Sequence, residues 1–164
     1  MASSAGETSP TAKAEWGNAT WYLLHTLPYK LKDEYANNRT VILELFDMFY
    51  QIAVNLPCPM CSQHAQETFR KLNRHNLVDK ASLIRAMWEY HNIVNKQLKK
   101  PTMTMEEMEA KYKTAVTRRV VEHFTYVFSK KTSTERAMLY SFGRRRVIDA
   151  FLKYMKSNSG KFDA

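Results

Sequence analysis

The amino-acid sequence predicts an all-α protein, on two observations. Glycine and proline are rare, at 4 and 5 of 164 residues, whereas Met, Leu, Lys, Glu, Gln and Arg, which favour helices, are frequent. Apolar positions recur at helical spacing along most of the chain, and no stretch of useful length alternates as a strand does. The 45% apolar and 12% aromatic residues are enough to build the packed core of one ordinary domain.

The first helix is expected over residues 16–27. The residues before it are small and polar, without apolar periodicity, so we interpret residues 1–14 as a mobile tail. Trp21 and His25 stand four apart, which places them on one helical face. Pro28 is expected to end the helix, because the residue before a proline disfavours the helical conformation.

Two further helices are expected on either side of Pro57. The preceding segment carries apolar side chains on one helical face, namely Val41, Ile42, Leu45, Phe46, Phe49 and Ile52. Because proline fits the first turn of a helix, Pro57 predicts a third helix that begins there and runs to about Leu72. Cys58 would then lie in the first turn of this helix.

A fourth helix is expected over residues 82–98, and a fifth from Met105. The fifth begins at a capping box formed by Thr104 and Glu107, in which hydroxyl and carboxylate each bind a backbone amide. Its apolar stripe continues into the following segment as a long or broken helix, with Met108, Tyr112, Val116, Val120, Phe124 and Val127.

One or two more helices are expected after residue 130. Thr132 and Glu135 repeat the capping pattern. An apolar stripe of helical spacing follows on both sides of Gly143, with Leu139, Phe142, Val147, Ile148, Phe151, Leu152 and Met155.

Positive charge is concentrated in the last third of the chain. The formal net charge is +9, and residues 113–164 hold 12 Lys and Arg against 4 Asp and Glu, a net of +8. The densest charges are Lys130, Lys131 and residues 144–146. They indicate either a patch for an acidic protein or nucleic acid, or a solvated helix face, which is the commoner case.

The composition also limits the compartment. No run approaches the roughly 18 apolar residues of a membrane span, and the first 13 residues lack the features of a signal or transit peptide. We therefore expect a cytoplasmic protein. Two cysteines do not make a disulfide scaffold of the secreted kind, so their close spacing indicates redox or metal chemistry.

Cys58 and Cys61 are the strongest candidates for chemistry. Two cysteines separated by two residues at a helix start are close enough to form a disulfide, and the helix dipole there stabilises a thiolate. The same pair is also half of a zinc site, which His64 and His75 would complete, although the spacing of these histidines fits no common zinc finger. Redox chemistry is favoured, with zinc binding or two unreactive buried thiols as alternatives.

The predicted fourth helix has a polar face beside its core-facing stripe. The apolar stripe is Leu83, Met87, Tyr90 and Val94, and the polar face is Trp88, Asn92, Asn95 and Lys99, bordered by His91. Rings can stack on a planar group, amides can bond its edge, and Lys99 and Lys100 can reach phosphates. Dinucleotide binding is one interpretation, and a solvated face with one half-buried tryptophan is the other.

Three segments in this order carry a family resemblance. They are Trp21-x3-His25-Thr26, Cys58-x2-Cys61 and His91-Asn92-x2-Asn95-x2-Leu98-x-Lys100-Pro101. Together they resemble the Erv/ALR family of FAD-linked sulfhydryl oxidases over residues 15–112. The resemblance implies a compact four- to five-helix bundle that holds FAD, usually as a homodimer. Residues 113–164 would be an additional basic helical extension.

The resemblance also implies roles for individual residues. Cys61 would lie against the flavin and pass electrons to it, and Cys58 would be attacked by the incoming thiolate. Reduced flavin would be reoxidised by dioxygen, giving hydrogen peroxide. Together with the polar face, the expected FAD-binding residues are Gly17, Thr20, Trp21, His25, Tyr29, Cys61, His64, Trp88, His91, Asn92, Asn95, Lys96, Lys99 and Lys100.

The sequence departs from the family pattern in ways that bear on partners. Asn18 stands where an arginine is common, and the further cysteine pairs of many members, which shuttle electrons or staple the fold, are absent. Substrate protein thiols, or a separate thiol-disulfide carrier, would therefore have to reach Cys58 directly, and a homodimer would be non-covalent. The minimal form resembles oxidases of large cytoplasmic DNA viruses.

Overall fold

The computed structural model describes residues 10–130 and 135–164. Within them the chain forms seven α-helices and no β-strand, which confirms the predicted all-α class. The helices are α1 (Pro10–Lys30), α2 (Arg39–Ala53), α3 (Pro59–Lys71), α4 (Lys80–Gln97), α5 (Met105–Tyr112), α6 (Thr117–Phe128) and α7 (Glu135–Asn158). No helix in these two ranges is long and apolar enough to span a bilayer.

Helix α1 is longer than predicted at both ends. It begins at Pro10, and it continues through Pro28 to Lys30, so the expected stop at Pro28 is wrong. Proline removes one backbone donor, but the next turn is closed by the amide of Leu31, which donates to the carbonyl of Leu27 at 3.1 Å. Leu27 and Leu31 are fully buried, and their packing offsets the lost bond.

Side-chain caps define the other helix starts. The predicted capping box of Thr104 and Glu107 is confirmed at the start of α5. The side chain of Asn38 caps α2, and a second capping box, formed by Asp79 and Ser82, starts α4 two residues before the predicted position. The capping pattern predicted at Thr132 begins outside the described residues.

The apolar stripe that runs past α5 is divided between two helices. α5 ends at Tyr112 and α6 begins at Thr117, with Val116 as its N-cap. Val116 is therefore 45% exposed and does not belong to the core, contrary to the predicted stripe. Its predicted neighbours Phe124 and Val127 are buried.

Helix α1 lies at the centre of the molecule. It packs against α4, α5 and α6, while α2 packs against α3 and α7. The last helices and the segment after them contribute to the same core as the first ones, through Val120, Phe124, Val127, Phe128, Val147, Ile148, Phe151, Met155 and Phe162. Residues 113–164 thus share their buried surface with the predicted oxidase bundle.

Helix α7 runs antiparallel to α2. Gly143 approaches Asn55, just after the end of α2, so closely that an added Cβ would stand 2.9 Å from the Asn55 Oδ1 atom. Eleven residues further along α7, Tyr154 is near Glu44, whose charge contributes to a raised pKa of the phenol together with the larger effect of burial. The chain end is fixed by the Asp163 amide, which donates to the Lys30 carbonyl at 2.7 Å.

Three predictions about the side chains of α7 are wrong. Phe142 and Leu152 are 62% and 42% exposed, although their spacing placed them on the apolar stripe. Arg144 is buried, although it was assigned to the charged surface with its neighbours. The predicted apolar stripe is wider than the part of the α7 surface that α2 and α6 cover. Residues at the margins of the stripe are therefore exposed. Burial lowers the pKa of the Arg144 guanidinium.

Candidate active site

Cys58 and Cys61 form a disulfide at the N-terminus of α3, with their Cα atoms 5.2 Å apart. The helix begins at Pro59 rather than at Pro57, so Cys58 is the N-cap and not a first-turn residue. The reason is that Pro59 holds the preceding Cys58 in an extended conformation, with φ −143° and ψ 108°. Cys58 and Cys61 are both half-buried, so the pair lies at the surface of the molecule.

The helix start is arranged to stabilise a thiolate on Cys58. The backbone amide of Cys61 donates to the Cys58 Sγ atom at 3.2 Å. The Ser62 hydroxyl donates to the carbonyl of Leu56 at 3.2 Å, which fixes the chain as it enters the helix. Because the amides and dipole of a helix N-terminus favour negative charge, a Cys58 thiolate formed on reduction of the disulfide would be stabilised there.

A cluster of rings lies between α1 and α4. Trp21 stacks on His91, with ring centroids 3.8 Å apart and an interplanar angle of 6°. The Nε2 atom of His25 lies 2.8 Å from the Nδ1 atom of His91, within hydrogen-bonding distance. One imidazole must donate and the other accept, so the pair fixes the tautomers of both. The structure thus brings together three of the predicted site residues.

Both imidazoles are held neutral by their surroundings. Burial, the neighbouring His91 and the charge of Lys111 lower the pKa of His25 well below its ordinary value. Burial, Lys111 and Lys100 lower the pKa of His91 to about 4. Protonation of the accepting ring nitrogen would turn the shared hydrogen bond into an encounter of two donors, which opposes protonation of that ring further.

Tyr112 completes the ring cluster and was missed as a site residue in the sequence. Its ring stacks on His25 with centroids 4.5 Å apart, and it meets Tyr22 edge-on at 5.0 Å. The Lys111 Nζ atom lies 5.2 Å from the centre of the Tyr112 ring. Tyr112 is the last residue of α5, and helical spacing predicted its burial but not its contact with α1.

Asn92 and Trp88 hold the loop after α4, a role the sequence did not reveal. The Asn92 side chain accepts from the Met103 amide at 2.9 Å and donates to the Met103 carbonyl at 2.8 Å. The Trp88 Nε1 atom donates to the same carbonyl at 2.7 Å. Asn95 is also buried, and its side chain donates to Asn92 over 3.5 Å. The solvated-face interpretation is therefore wrong for the two asparagines.

Three predicted cations stand at the C-terminal end of α4. Lys96, Lys99 and Lys100 are exposed. The amide of Lys99 donates to the Lys96 carbonyl at 3.1 Å and that of Lys100 to the Asn95 carbonyl at 2.8 Å, which is the Schellman pattern. Lys99 adopts a φ of 55°, the left-handed conformation that glycine usually occupies there.

The remaining predicted residues are dispersed. The Thr20 hydroxyl donates to the Trp16 carbonyl at 2.7 Å within α1. His64 is exposed on α3. Tyr29 lines a groove of about 660 Å³, and Trp88 and Asn92 line a second groove of about 690 Å³. The two grooves adjoin each other, since Glu89 lines both. An added Cβ at Gly17 would meet no atom within 4 Å.

The zinc alternative finds no support in this geometry. Among the described residues, no three His, Cys, Asp or Glu side chains come together as metal ligands would. Cys58 and Cys61 are joined to each other, and His64 and His75 are exposed on separate segments.

Comparison with known proteins assigns the chain to a class. The model of the Erv1 / Alr family matches residues 18–113, which is more than half of the chain, so this protein belongs to the Erv1 / Alr family. The matched segment contains the cysteine pair and the ring cluster.

Three curated relatives show what the chain is similar to. It is 30% identical over 107 residues to FAD-linked sulfhydryl oxidase ERV1 of Oryza sativa subsp. japonica, covering 65% of this chain and 53% of the relative. It is 27% identical over 99 residues to a putative FAD-linked sulfhydryl oxidase of Invertebrate iridescent virus 3, covering 60% and 66%. It is 27% identical over 111 residues to mitochondrial FAD-linked sulfhydryl oxidase ERV1 of Saccharomyces cerevisiae, covering 65% and 55%.

The matched regions thus span between about half and two thirds of the length of these relatives. Among solved structures, none matches the chain significantly.

Proposed function

We propose that this protein is an FAD-linked sulfhydryl oxidase, which takes two electrons from substrate thiols and delivers them to dioxygen as hydrogen peroxide. The observation that carries the proposal is the surface disulfide at the N-terminus of α3 in an Erv1 / Alr family chain. The names of the plant, viral and yeast relatives support the same activity.

The thiol chemistry can be written for this pair of cysteines. A substrate thiolate attacks the Cys58 Sγ atom, the bond to Cys61 breaks, and Cys61 leaves as a thiolate. A second substrate thiolate attacks the substrate sulfur of the mixed disulfide, which releases the oxidised substrate and a Cys58 thiolate. The amide of Cys61 stabilises that thiolate, since it already donates to the Cys58 sulfur at 3.2 Å.

The polar and aromatic residues between α1 and α4 fit FAD by their chemistry. Trp21 and His91 offer flat rings, the buried Asn95 amide makes one long hydrogen bond, and Lys100 is close enough to lower the pKa of His91. In this proposal, Asn95 would bind a ring edge, and Lys96, Lys99 and Lys100 would bind phosphates. FAD, when bound, supplies the two-electron acceptor that dioxygen reoxidises.

Further sites and partners complete the proposal. Gly17, Thr20, His25, Tyr29, His64, Trp88 and Asn92 remain candidates for the FAD site as the sequence suggested. Both cysteines of the chain are used in the intrachain disulfide, so we propose a homodimer held by non-covalent contacts. A viral origin is supported by the relative from Invertebrate iridescent virus 3, and a cytoplasmic location stays a prediction.

The direct test is oxygen uptake with dithiothreitol by the purified protein loaded with FAD. We expect wild-type protein to consume oxygen, and Cys58→Ser and Cys61→Ser each to lose at least about a hundredfold of this activity, because either change removes the disulfide. FAD content, measured by absorbance after denaturation, should be retained in both variants. Equal turnover by Cys61→Ser and wild type would contradict the assigned electron route.

A further inference from the structure

The chain around the redox pair carries no formal charge of its own. Residues 51–66 contain no Asp, Glu, Lys or Arg. Between the two cysteines, Met60 is 69% exposed, so an apolar side chain stands in water directly beside the disulfide. Selection of a substrate by charge therefore depends on what neighbouring elements bring to this segment.

Helix α7 comes close to the start of this segment. Gly143 approaches Asn55, which lies three residues before Cys58, a separation that the chain can extend to at most about 11 Å. Because α7 runs antiparallel to α2, residues 142–146 lie beside the end of α2 that leads to the cysteines. Residues 153–156 lie further along α2, roughly 11–21 Å away from the first group along the helix axis.

The turn of α7 beside the cysteine segment presents one aromatic and two cationic side chains. Phe142 is 62% exposed, and Arg145 and Arg146 are exposed. Aromatic residues, methionine and arginine are the types enriched in protein interfaces. Single exposed apolar side chains are common on protein surfaces, so the position of Met60 between the two cysteines matters more than its exposure alone.

We propose that Met60, Phe142, Arg145 and Arg146 form a docking surface for the substrate polypeptide, selecting cysteines flanked by acidic and apolar residues. The inference rests on the proposed oxidase function and names the substrate class for its disulfide. The two arginines supply charge complementarity for Asp or Glu near the substrate cysteine, and the two apolar side chains supply contact area.

Other occupants fit this surface less well. A second copy of the chain docked by the same face would place arginine against arginine, in a chain of net charge +9. Nucleic acid would favour a continuous basic stripe, whereas Asp149 stands four residues after Arg145 and four before Lys153 on the same exposed face. Phosphate contacts would also leave Phe142 and Met60 uncovered.

The test compares two peptides, each with two cysteines, whose flanking residues are Asp and Glu in one and Lys in the other. We expect wild-type protein to oxidise the acidic peptide with a kcat/KM at least about tenfold above that of the basic one. Arg145→Glu with Arg146→Glu should abolish or reverse this preference. The matched control is Lys153→Glu with Lys156→Glu, which makes the same charge change on the same helix and should keep it.

Each rate is divided by the rate with dithiothreitol, so a change in redox competence cancels. Thermal unfolding by circular dichroism checks that the variants fold. If the charge-reversal variant does not fold, Arg145→Gln with Arg146→Gln is used in its place. Wild-type protein that oxidises no dithiol would overturn the proposed function and the inference with it.

Oxidation of dithiothreitol and of both peptides at equal relative rates would overturn the docking surface alone. The docking surface would also be overturned if Arg145→Glu with Arg146→Glu lost binding to a DNA oligonucleotide but kept the peptide preference. The two arginines would then bind nucleic acid rather than the substrate.

Discussion

At the scale of single residues, the pair of His25 and His91 makes the fold sensitive to acid. Their ring nitrogens are 2.8 Å apart, both side chains are buried, and the pKa of His91 is lowered to about 4. In the unfolded chain each histidine titrates near 6.5. Between these values the unfolded state binds more protons than the folded state, so stability rises with pH in that range.

We therefore expect the contribution of these two histidines to the free energy of unfolding to be constant above pH 6.5. It should fall as the pH drops from 6.5 toward 4. His91 alone would contribute on the order of 3 kcal/mol to this loss. Urea unfolding at a series of pH values measures it. His91→Gln should flatten the profile, whereas His123→Gln, an exposed histidine on α6, should not. A profile in His91→Gln as steep as in wild type would contradict the assignment.

At the scale of helices, the ends of α4 and α5 are fixed by local hydrogen bonds, and one end is strained. Lys99 closes the Schellman pattern of α4 with a φ of 55°, which costs an L-residue about 1–2 kcal/mol. Glycine has no such penalty but loses about 0.5–1 kcal/mol of chain entropy on folding.

Lys99→Gly should therefore raise the free energy of unfolding of the FAD-free protein by about 0.5–1 kcal/mol. Lys96→Gly removes the same side chain inside α4, where φ is helical, and should lower it by about 1 kcal/mol. Chemical denaturation of the two variants compares them directly. An equal loss of stability in both variants would contradict the assignment of backbone strain to Lys99.

The helix ends also show which contacts could be predicted from the sequence and which could not. Thr104 and Glu107 lie in one local pattern, so the sequence predicted their capping box, and the same holds for the cysteine pair. The Asn92 bonds to Met103 join residues eleven apart across an irregular loop, which no spacing rule predicts. The contact between Tyr112 and His25 joins distant helices and depends on packing alone.

At the scale of the whole molecule, the basic C-terminal part is tied into the core. Phe124 of α6 is fully buried and contacts Phe128 and Phe151, with ring centroids 4.3 Å and 5.4 Å apart. Helix α6 packs along α1, which carries Trp21 and His25. The sequence predicted the apolar stripe of these helices but not which face of α7 would stay exposed, because that depends on neighbours distant in sequence.

Phe124→Ala should lower the free energy of unfolding by about 3–5 kcal/mol, because it leaves a cavity between α6 and α7. That is a large fraction of the roughly 5–15 kcal/mol of a typical domain. Tyr126→Ala, on the same helix but 64% exposed, should cost less than about 1 kcal/mol. Similar small losses in both variants would show that α6 is not part of the cooperative core.

The central claim is electron transfer from thiols through Cys58 and Cys61 to bound FAD. The most direct measurement is the absorbance spectrum of the purified, FAD-loaded protein before and after dithiothreitol is added under nitrogen. We predict flavin bands that bleach on addition of the dithiol in wild-type protein and persist in Cys61→Ser. A protein that stays colourless after incubation with FAD, or whose flavin bands do not respond to dithiol, would contradict the account.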